Sequence, residues 1–330
     1  MKSKNVIRRG TGVVYHYTSL DTFMKILDGI KDGYITFHGS DIFTMNDPTE
    51  FYHGYKTLLD FLPQIENDFY NKIKSGQFVL DVDTRALDDK YRLSESWDKD
   101  NYSTEQEWIY AQIKELHESY KTPFVVSFSC QRDFLPMWST YGGKGHGVAL
   151  GIDVQPYYIF KTDKNGEMIF ETRNDNENEI KSLLVSYDTI SLQHPITSYI
   201  RLELKSYLQK LSRKINNNEP INELQRNTIN YILYISSALI KNKVYSYEEE
   251  SRLIMFISSL KDVHYKINGT QKVIPYIQIK ISIEKLKKLV IGPCCDFEST
   301  KLMVKTRLKQ LGLSFPDDVF LKSNIPYRNM

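Results

Sequence analysis

This chain of 330 residues has few cysteines and almost no excess of positive over negative charge. The 3 cysteines, Cys130, Cys294 and Cys295, are an odd number without the spacing of a disulfide framework or a zinc site. We therefore expect a reducing compartment and a cytoplasmic location. The formal net charge is only +2, from 43 basic and 41 acidic residues, so no global field draws the protein to nucleic acid or to a membrane.

Long hydrophobic runs are also missing. The most extended apolar segment, YILYISSALI from Tyr231, falls short of the roughly 20 apolar residues that span a bilayer, and it predicts a buried helix. The basic N-terminal stretch MKSKNVIRRG leads into no apolar segment, so it does not have the pattern of a secretory signal. We therefore expect no membrane partner.

The familiar phosphate-binding loops are absent as well. The chain contains no GxxxxGK[ST] and no GxGxxG after a strand, and it also lacks HExxH and GxSxG. The glycine-rich segment YGGKGHGVALG ends a predicted helix and enters a strand, which is the wrong order for a phosphate loop that opens a helix.

Strand and helix patterns are both present, and they mix without regular alternation. This order argues against a doubly wound parallel sheet. Hydrophobic residues make up 41% of the chain and charged residues 25%, as in ordinary globular proteins. The pattern predicts a single α+β domain over residues 1–330, with a mainly antiparallel sheet and helical insertions near 48–122 and 195–243.

The segment NDPTEF predicts the start of a long helix. Asp47 is a natural N-cap, Pro48 fits the first helical position, and Glu50 can close a capping box. Capping does not explain Asn46. Because a helix N-terminus also attracts phosphate groups, a ligand role for Asn46 or Glu50 stays open.

The segment YSYEEESRLIMFI from Tyr245 predicts a strand that is entered through acidic residues. Side chains alternate along a strand, so Glu248, Glu250 and Arg252 are expected on one face, with Glu249 on the other. Two carboxylates and a guanidinium on one face favour a functional site. The alternative is a surface ladder of salt bridges.

The strand-like segment VVYHYT places a histidine among apolar residues. His16 could line a binding site, with Thr18 on its side of the strand and Tyr17 packing on the other. A buried core histidine is the alternative.

A second candidate region lies between the strand PFVVSFSC and the short helix in LPMWSTYGG. Ser129 stands on a buried strand, where an unbonded hydroxyl would be unfavourable, and Phe128 takes the opposite face. Trp138 and Tyr141 are three residues apart on the short helix. That spacing suits a stacking site, although aromatic residues so spaced are more often part of a core.

Four polar segments occur in a distinctive order: YHYT, NDPTE, SFSCQRDFLPMWSTY and YEEESR. Together they resemble a bacterial family catalogued as a domain of unknown function, which has HYT, NDPxE, FS, MWxxY and ExExR motifs. The resemblance runs from Tyr15 to Pro293. Tyr245 departs from the family, which usually has tryptophan before ExExR.

That family in turn resembles ADP-ribosyltransferases with a split sheet, and this resemblance implies roles for individual residues. His16 would hold the adenosine-side ribose of NAD, and Phe128 with Tyr141 would enclose the nicotinamide. Glu250 would contact the nicotinamide ribose, and Glu248 would act on the acceptor. Further candidates for binding NAD are Tyr17, Thr18, Asn46, Ser129, Trp138 and Arg252.

The resemblance implies an NAD-dependent ADP-ribosyltransferase that uses NAD as a substrate and no metal. It would be a toxin or anti-phage effector that modifies a nucleic acid or a protein, and it could have an antitoxin or defence-system partner. An NAD glycohydrolase, a non-enzymatic nucleotide sensor and a metal-dependent nuclease toxin are the alternatives. If the acceptor is a nucleic acid, basic residues within 205–214 and 301–309 are candidates for its groove, and a solvated helix face is the alternative for both segments.

Overall fold

The structure, a computed structural model, describes residues 12–45, 47, 49–77, 89–93, 99–119, 123–153, 160–162, 168–170, 183–187, 190–192, 195–256, 260–267 and 272–327. The helices in these ranges are α1 (Leu20–Asp28), α2 (Glu50–Lys74), α3 (Glu105–Ser119), α4 (Leu135–Thr140), α5 (Pro195–Asn216), α6 (Asn222–Ser237) and α7 (Phe297–Gln310). The strands are β1 (Val13–Ser19), β2 (Tyr34–Asp41), β3 (Pro123–Ser129), β4 (Gly147–Asp153), β5 (Phe160–Thr162), β6 (Met168–Phe170), β7 (Leu183–Leu184), β8 (Ser186–Tyr187), β9 (Ile240–Lys241), β10 (Glu250–Phe256), β11 (His264–Ile267), β12 (Val273–Ser282), β13 (Leu286–Ile291) and β14 (Phe320–Lys322).

Ten of these strands form one sheet. Its main path is β11-β12-β2-β3-β1-β4-β13-β14, and β10 pairs with β3 and β7 outside that path. The pairs are antiparallel except for β13 with β14. The prediction of an α+β fold with a mainly antiparallel sheet is therefore confirmed.

The sheet divides at β3. Strand β10 pairs along the whole length of β3, so it takes one complete edge of that strand. Strands β2 and β1 must share the other edge. β2 pairs with its beginning, at Phe124 and Val125, and β1 pairs only with its end, at Ser129. The backbone between Val125 and Ser129 therefore has a strand neighbour on one side only.

Four helices pack together and form the larger hydrophobic core. They are α2, α3, α5 and α6, and they lie within the two segments predicted as helical insertions. The apolar segment from Tyr231 lies mostly in α6, where Ile232, Leu233 and Tyr234 are buried as expected. The assignment of residues 1–330 to a single domain stays a prediction.

A second core lies between the sheet and the helices α1 and α7. Phe23 and Leu27, four residues apart on one side of α1, lie in it together with Val304 and Leu308 of α7. Ser19 caps α1 by accepting a hydrogen bond from the backbone nitrogen of Thr22 at 3.2 Å.

The predicted start of α2 is wrong by two residues. The helix begins at Glu50, and the Asp47 side chain accepts hydrogen bonds from the backbone and hydroxyl of Thr49, at 2.8 and 2.7 Å. Glu50 therefore takes no part in a capping box. Its side chain is buried and turns toward cations on other elements. Pro48 and Asn46 lie outside the described residues.

The predicted strand from Tyr245 is also partly wrong, because the strand begins only at Glu250. Residues Lys243–Glu248 form a 3-10 helix, which Asn242 caps by accepting from the backbone nitrogen of Val244 at 3.0 Å. Glu249 then adopts a left-handed conformation with φ of 41° and redirects the chain into β10. The strand periodicity that placed Glu248 and Glu250 on one face therefore does not apply.

None of the helices in the described ranges combines the length and the apolar character needed to cross a membrane. The dipeptide Asn268-Gly269, which favours a tight hairpin turn, lies outside the described residues, and β11 and β12 on either side pair as an antiparallel hairpin.

Candidate functional site

A cleft of about 930 Å³ opens where the sheet divides. Seven of the residues predicted for the site line it, although they come from segments more than two hundred residues apart. They are His16, Tyr17, Phe128, Ser129, Tyr141, Glu248 and Glu250. Whether they bind NAD stays a prediction.

His16 reaches across the opening between β1 and β3. Its Nδ1 lies 3.0 Å from the carbonyl oxygen of Ser127, which can only accept, so Nδ1 carries a hydrogen. Burial lowers the pKa of His16, and the charge of Lys266 lowers it further, against the opposing effect of the Ser127 bond. The ring is therefore neutral near pH 7. It packs edge-on against Phe37 and Phe128, at centroid distances of 5.2 and 5.8 Å.

A buried group of five charged side chains closes another side of the cleft. We call it the glutamate cluster: Glu50, Glu248, Glu250, Lys241 and Arg252. Lys241 Nζ binds Glu248 at 2.6 Å and Glu250 at 3.2 Å, and lies 3.7 Å from Glu50. Arg252 binds both carboxylate oxygens of Glu250, at 2.9 and 3.0 Å, and also pairs with Glu50.

The glutamate cluster carries a formal charge of −1, from three carboxylates and two cations. Burial by itself would raise the pKa of Glu250, but Arg252 and then Lys241 lower it to about 2. Glu250 is therefore ionised at neutral pH. Within the described ranges no group of three His, Cys, Asp or Glu side chains is placed to hold a metal ion.

Neighbouring hydroxyl groups fix the two glutamates that line the cleft. The Tyr141 hydroxyl donates to Glu248 Oε1 at 2.9 Å. Burial and the adjacent Glu248 charge raise the pKa of Tyr141, so it remains a donor. Ser129 donates to the backbone carbonyl of Glu248 at 2.6 Å, and the Tyr187 hydroxyl accepts from the backbone nitrogen of Glu250 at 2.8 Å. Ser129 thus holds the turn that presents the glutamates.

Two of the predicted residues lie behind the cleft wall. Trp138 is completely buried, and its Nε1 donates to Asp133 at 2.7 Å, so its ring supports the wall and cannot stack on a ligand. Thr18 is buried on β1 and lies outside the described cleft lining. Tyr17 lines the cleft, but its hydroxyl donates to the carbonyl oxygen of Gln131 at 2.8 Å, as expected of a packing residue.

Arg252 is predicted to bind NAD, but its side chain is 0% exposed and lies beneath Glu250. Its remaining donor reaches the carbonyl oxygen of Ala238 at 2.7 Å. In the structure Arg252 holds Glu250 in place and does not reach the cleft surface, and its role in binding NAD stays a prediction. Asn46, the other candidate from the helix start, lies outside the described residues.

The sequence did not identify Lys241 or the lysines across the cleft. Lys241 follows a buried helix, and no local motif marks it as a site residue. The one available signal is indirect, because buried carboxylates such as those of the glutamate cluster need cations beside them. Lys266 and Lys280, on β11 and β12, line the cleft from the far side of β2. Burial lowers the pKa of Lys266. One cleft therefore has a negative cluster on one side and lysines on another.

Comparison with known proteins relates part of the chain to a family of unknown function. A family model described as "Protein of unknown function (DUF2971)" matches residues 137–253. The matched segment includes Tyr141, Lys241 and the glutamates of the 3-10 helix and β10, and it excludes His16. A relation to a domain of unknown function is thus supported over that segment. No curated protein and no solved structure matches.

Proposed function

We propose that the protein is an NAD-dependent ADP-ribosyltransferase that acts at this cleft on a macromolecular acceptor. The proposal includes a sheet of the ADP-ribosyltransferase type, divided at β3, and a role as a toxin or anti-phage effector in the cytoplasm. NAD is the second substrate in this proposal, and no metal takes part.

One observation carries the proposal: the cleft combines a negative cluster, aromatic side chains and lysines. NAD has the matching groups, because its nicotinamide ring is cationic and its diphosphate is anionic. The carboxylates of the glutamate cluster suit the nicotinamide ribose, and the lysines of the cleft lining suit phosphates, both those of NAD and those of a nucleic-acid acceptor. The ring of Tyr141 offers a surface on which a flat cationic ring can stack.

Glu250 is suited to the bond-breaking step. When the bond between nicotinamide and C1′ of the ribose breaks, positive charge develops on the ribose. A fixed carboxylate that remains ionised stabilises this charge without reorganisation, and Arg252 and Lys241 hold Glu250 in that state. Arg252 and Lys241 are therefore positioning residues.

Glu248 is suited to the acceptor. The electron pair of the broken bond leaves with nicotinamide, which becomes neutral, and the acceptor forms the new bond to C1′. The acceptor's proton passes to Glu248, whose carboxylate lies between Tyr141 and Lys241. If water replaces the acceptor, the same steps give NAD hydrolysis.

The proposal is tested by incubating the purified protein with a cell extract and NAD labelled on the adenylate phosphate. We expect label in the protein or the nucleic acid fraction, and its loss with Glu248→Gln. Glu249→Gln is the matched control, because Glu249 is the intervening residue and lies outside the described cleft lining. Free ADP-ribose without labelled macromolecule would identify a glycohydrolase, and binding of NAD without turnover would identify a sensor.

The structure gives less support to a metal-dependent nuclease. Magnesium would have to be shared among Glu50, Glu248 and Glu250, and the ammonium group of Lys241 already lies between these carboxylates. Metal-dependent loss of DNA or RNA by the purified protein would favour that alternative.

A further inference from the structure

The three strands at one end of the sheet leave one face open beside the cleft. In β2, β11 and β12 the even-numbered residues are paired with one another, so their side chains share this face. All of them are exposed or half-buried. Odd-numbered residues such as Phe37, Ile277 and Ile279 point into the core on the opposite side. We call the open side the basic sheet face.

The basic sheet face has cations but no carboxylates. Its even-numbered residues include two cations, Lys266 and Lys280, and two histidines, His38 and His264, and none of them is aspartate or glutamate. Burial lowers the pKa of His38, and the charge of Lys266 lowers it further, so this ring is neutral near pH 7. In the part of the chain that the structure describes, neither Lys266 nor Lys280 forms an ion pair. An uncompensated positive surface of this kind attracts anions.

Aromatic rings lie among these cations. His38 stacks on Tyr276 with ring centroids 4.1 Å apart and an interplanar angle of 29°. His264 lies 5.5 Å from Tyr276 on its other side, and Lys266 Nζ is 5.3 Å from the centre of the same ring. Flat rings next to lysines are the combination that binds single-stranded nucleic acid, because bases stack while phosphates meet the cations.

The extent of the face suits a chain of nucleotides better than one diphosphate. From Tyr34 to Ser40, β2 covers about 20 Å at a rise of roughly 3.3 Å per residue. Three strands give a width of about 10 Å at a spacing of about 4.8 Å. The face also leads into the cleft, because His38, Lys266 and Lys280 belong to its lining.

The basic segment 301–309 suggested by the sequence is less suitable. Lys301 and Lys305 both pair with Asp317, and Arg307 pairs with Asp28. Their positive charge is largely compensated within the protein, so they offer less to a phosphate chain.

We propose that the basic sheet face binds a single-stranded nucleic acid and leads it toward Glu248. The inference rests on the proposed function, since it names the acceptor class, but its test needs no NAD.

Binding of a labelled oligothymidylate of about ten nucleotides, a length typical of such sites, is measured by fluorescence anisotropy as salt is raised. The test variant is Lys266→Gln/Lys280→Gln. Loss of two phosphate contacts makes the slope of log K against log salt less steep by about 1.4. If the variant and the wild type bind equally at about 1 M salt, the variant should therefore bind roughly 25-fold more weakly than the wild type at about 0.1 M salt. The control, Lys74→Gln/Lys287→Gln, removes two exposed lysines on α2 and β13 that lie outside the cleft lining, and it should leave the binding unchanged.

Lys280→Glu is a second variant at an exposed position, and it should weaken binding further than Lys280→Gln without loss of thermal stability. Equal affinity in the test and control variants, or no binding by the wild type, would overturn the proposal. It would also be overturned if Lys266→Gln/Lys280→Gln lost ADP-ribose binding but kept oligothymidylate binding, because the face would then hold the diphosphate of a dinucleotide. Oligothymidylate binding without nicotinamide release would refute the proposed enzymatic activity but would support the proposed nucleic-acid-binding face.

Discussion

Glu250→Gln isolates the charge of the glutamate cluster, because glutamine has nearly the shape of a protonated glutamate. The pKa of Glu250 lies at about 2, against an ordinary value of 4.5. One pKa unit corresponds to about 1.4 kcal/mol, so ionised Glu250 contributes about 3 kcal/mol to folding at neutral pH. We expect the variant to be less stable than the wild type by about this amount, since Arg252 and Lys241 lose a buried partner.

Urea unfolding over a series of pH values measures this difference. The folded-state pKa lies below the unfolded one, so the contribution is present above about pH 4.5 and is lost as the pH falls toward about 2. The two proteins should therefore differ by a constant amount from about pH 7 to pH 5.5 and converge below about pH 4.5. A difference under about 1 kcal/mol at neutral pH, or one that persists unchanged to about pH 3, would refute the reasoning.

Three further variants distinguish residues that act in the proposed reaction from residues that only stabilise the cleft wall. Tyr141→Phe removes the hydroxyl that donates to Glu248, the residue assigned to the acceptor, and we expect transfer of labelled ADP-ribose to fall at least about tenfold, the equivalent of one charge-assisted hydrogen bond; unchanged transfer in a stopped assay would contradict this role. Trp138→Phe breaks the bond to Asp133, so urea unfolding should show a loss of about 1–3 kcal/mol while calorimetry shows unchanged NAD affinity. A weaker affinity in the folded variant would place Trp138 in the site after all. Glu249→Gln should alter neither release nor stability by a measurable amount, and a marked loss of release would show that the assignment of the glutamates is wrong.

The sequence could predict the helices and the sheet class because their signals are local and periodic. The spacing of Phe23 and Leu27 marks the buried face of α1, and the apolar run after Tyr231 marks a buried helix. The same reasoning failed at Glu249, because a left-handed turn at a glutamate has no signature in the sequence. Glu248 nevertheless lies close to Glu250 in space, and Lys241 Nζ binds both carboxylates.

Long-range placement explains what the sequence missed at the site. Glu50 fits a capping box by its local sequence, yet its side chain is taken by Arg252, about two hundred residues away. Lys266 and Lys280 join the cleft only because β12 pairs with β2. Such contacts follow from strand order, which no single segment encodes.

The most direct test of the central claim is nicotinamide release from NAD by the purified protein and its single Gln variants at Glu248, Glu249 and Glu250. The variants are compared at a temperature at which unfolding curves show all of them folded. We predict release by the wild type, a fall of about 10²–10³ with Glu250→Gln, a smaller effect on release than on transfer with Glu248→Gln, and almost no effect with Glu249→Gln. No release and no NAD binding by the wild type, or the largest loss at Glu249, would contradict the claim that this cleft cleaves NAD.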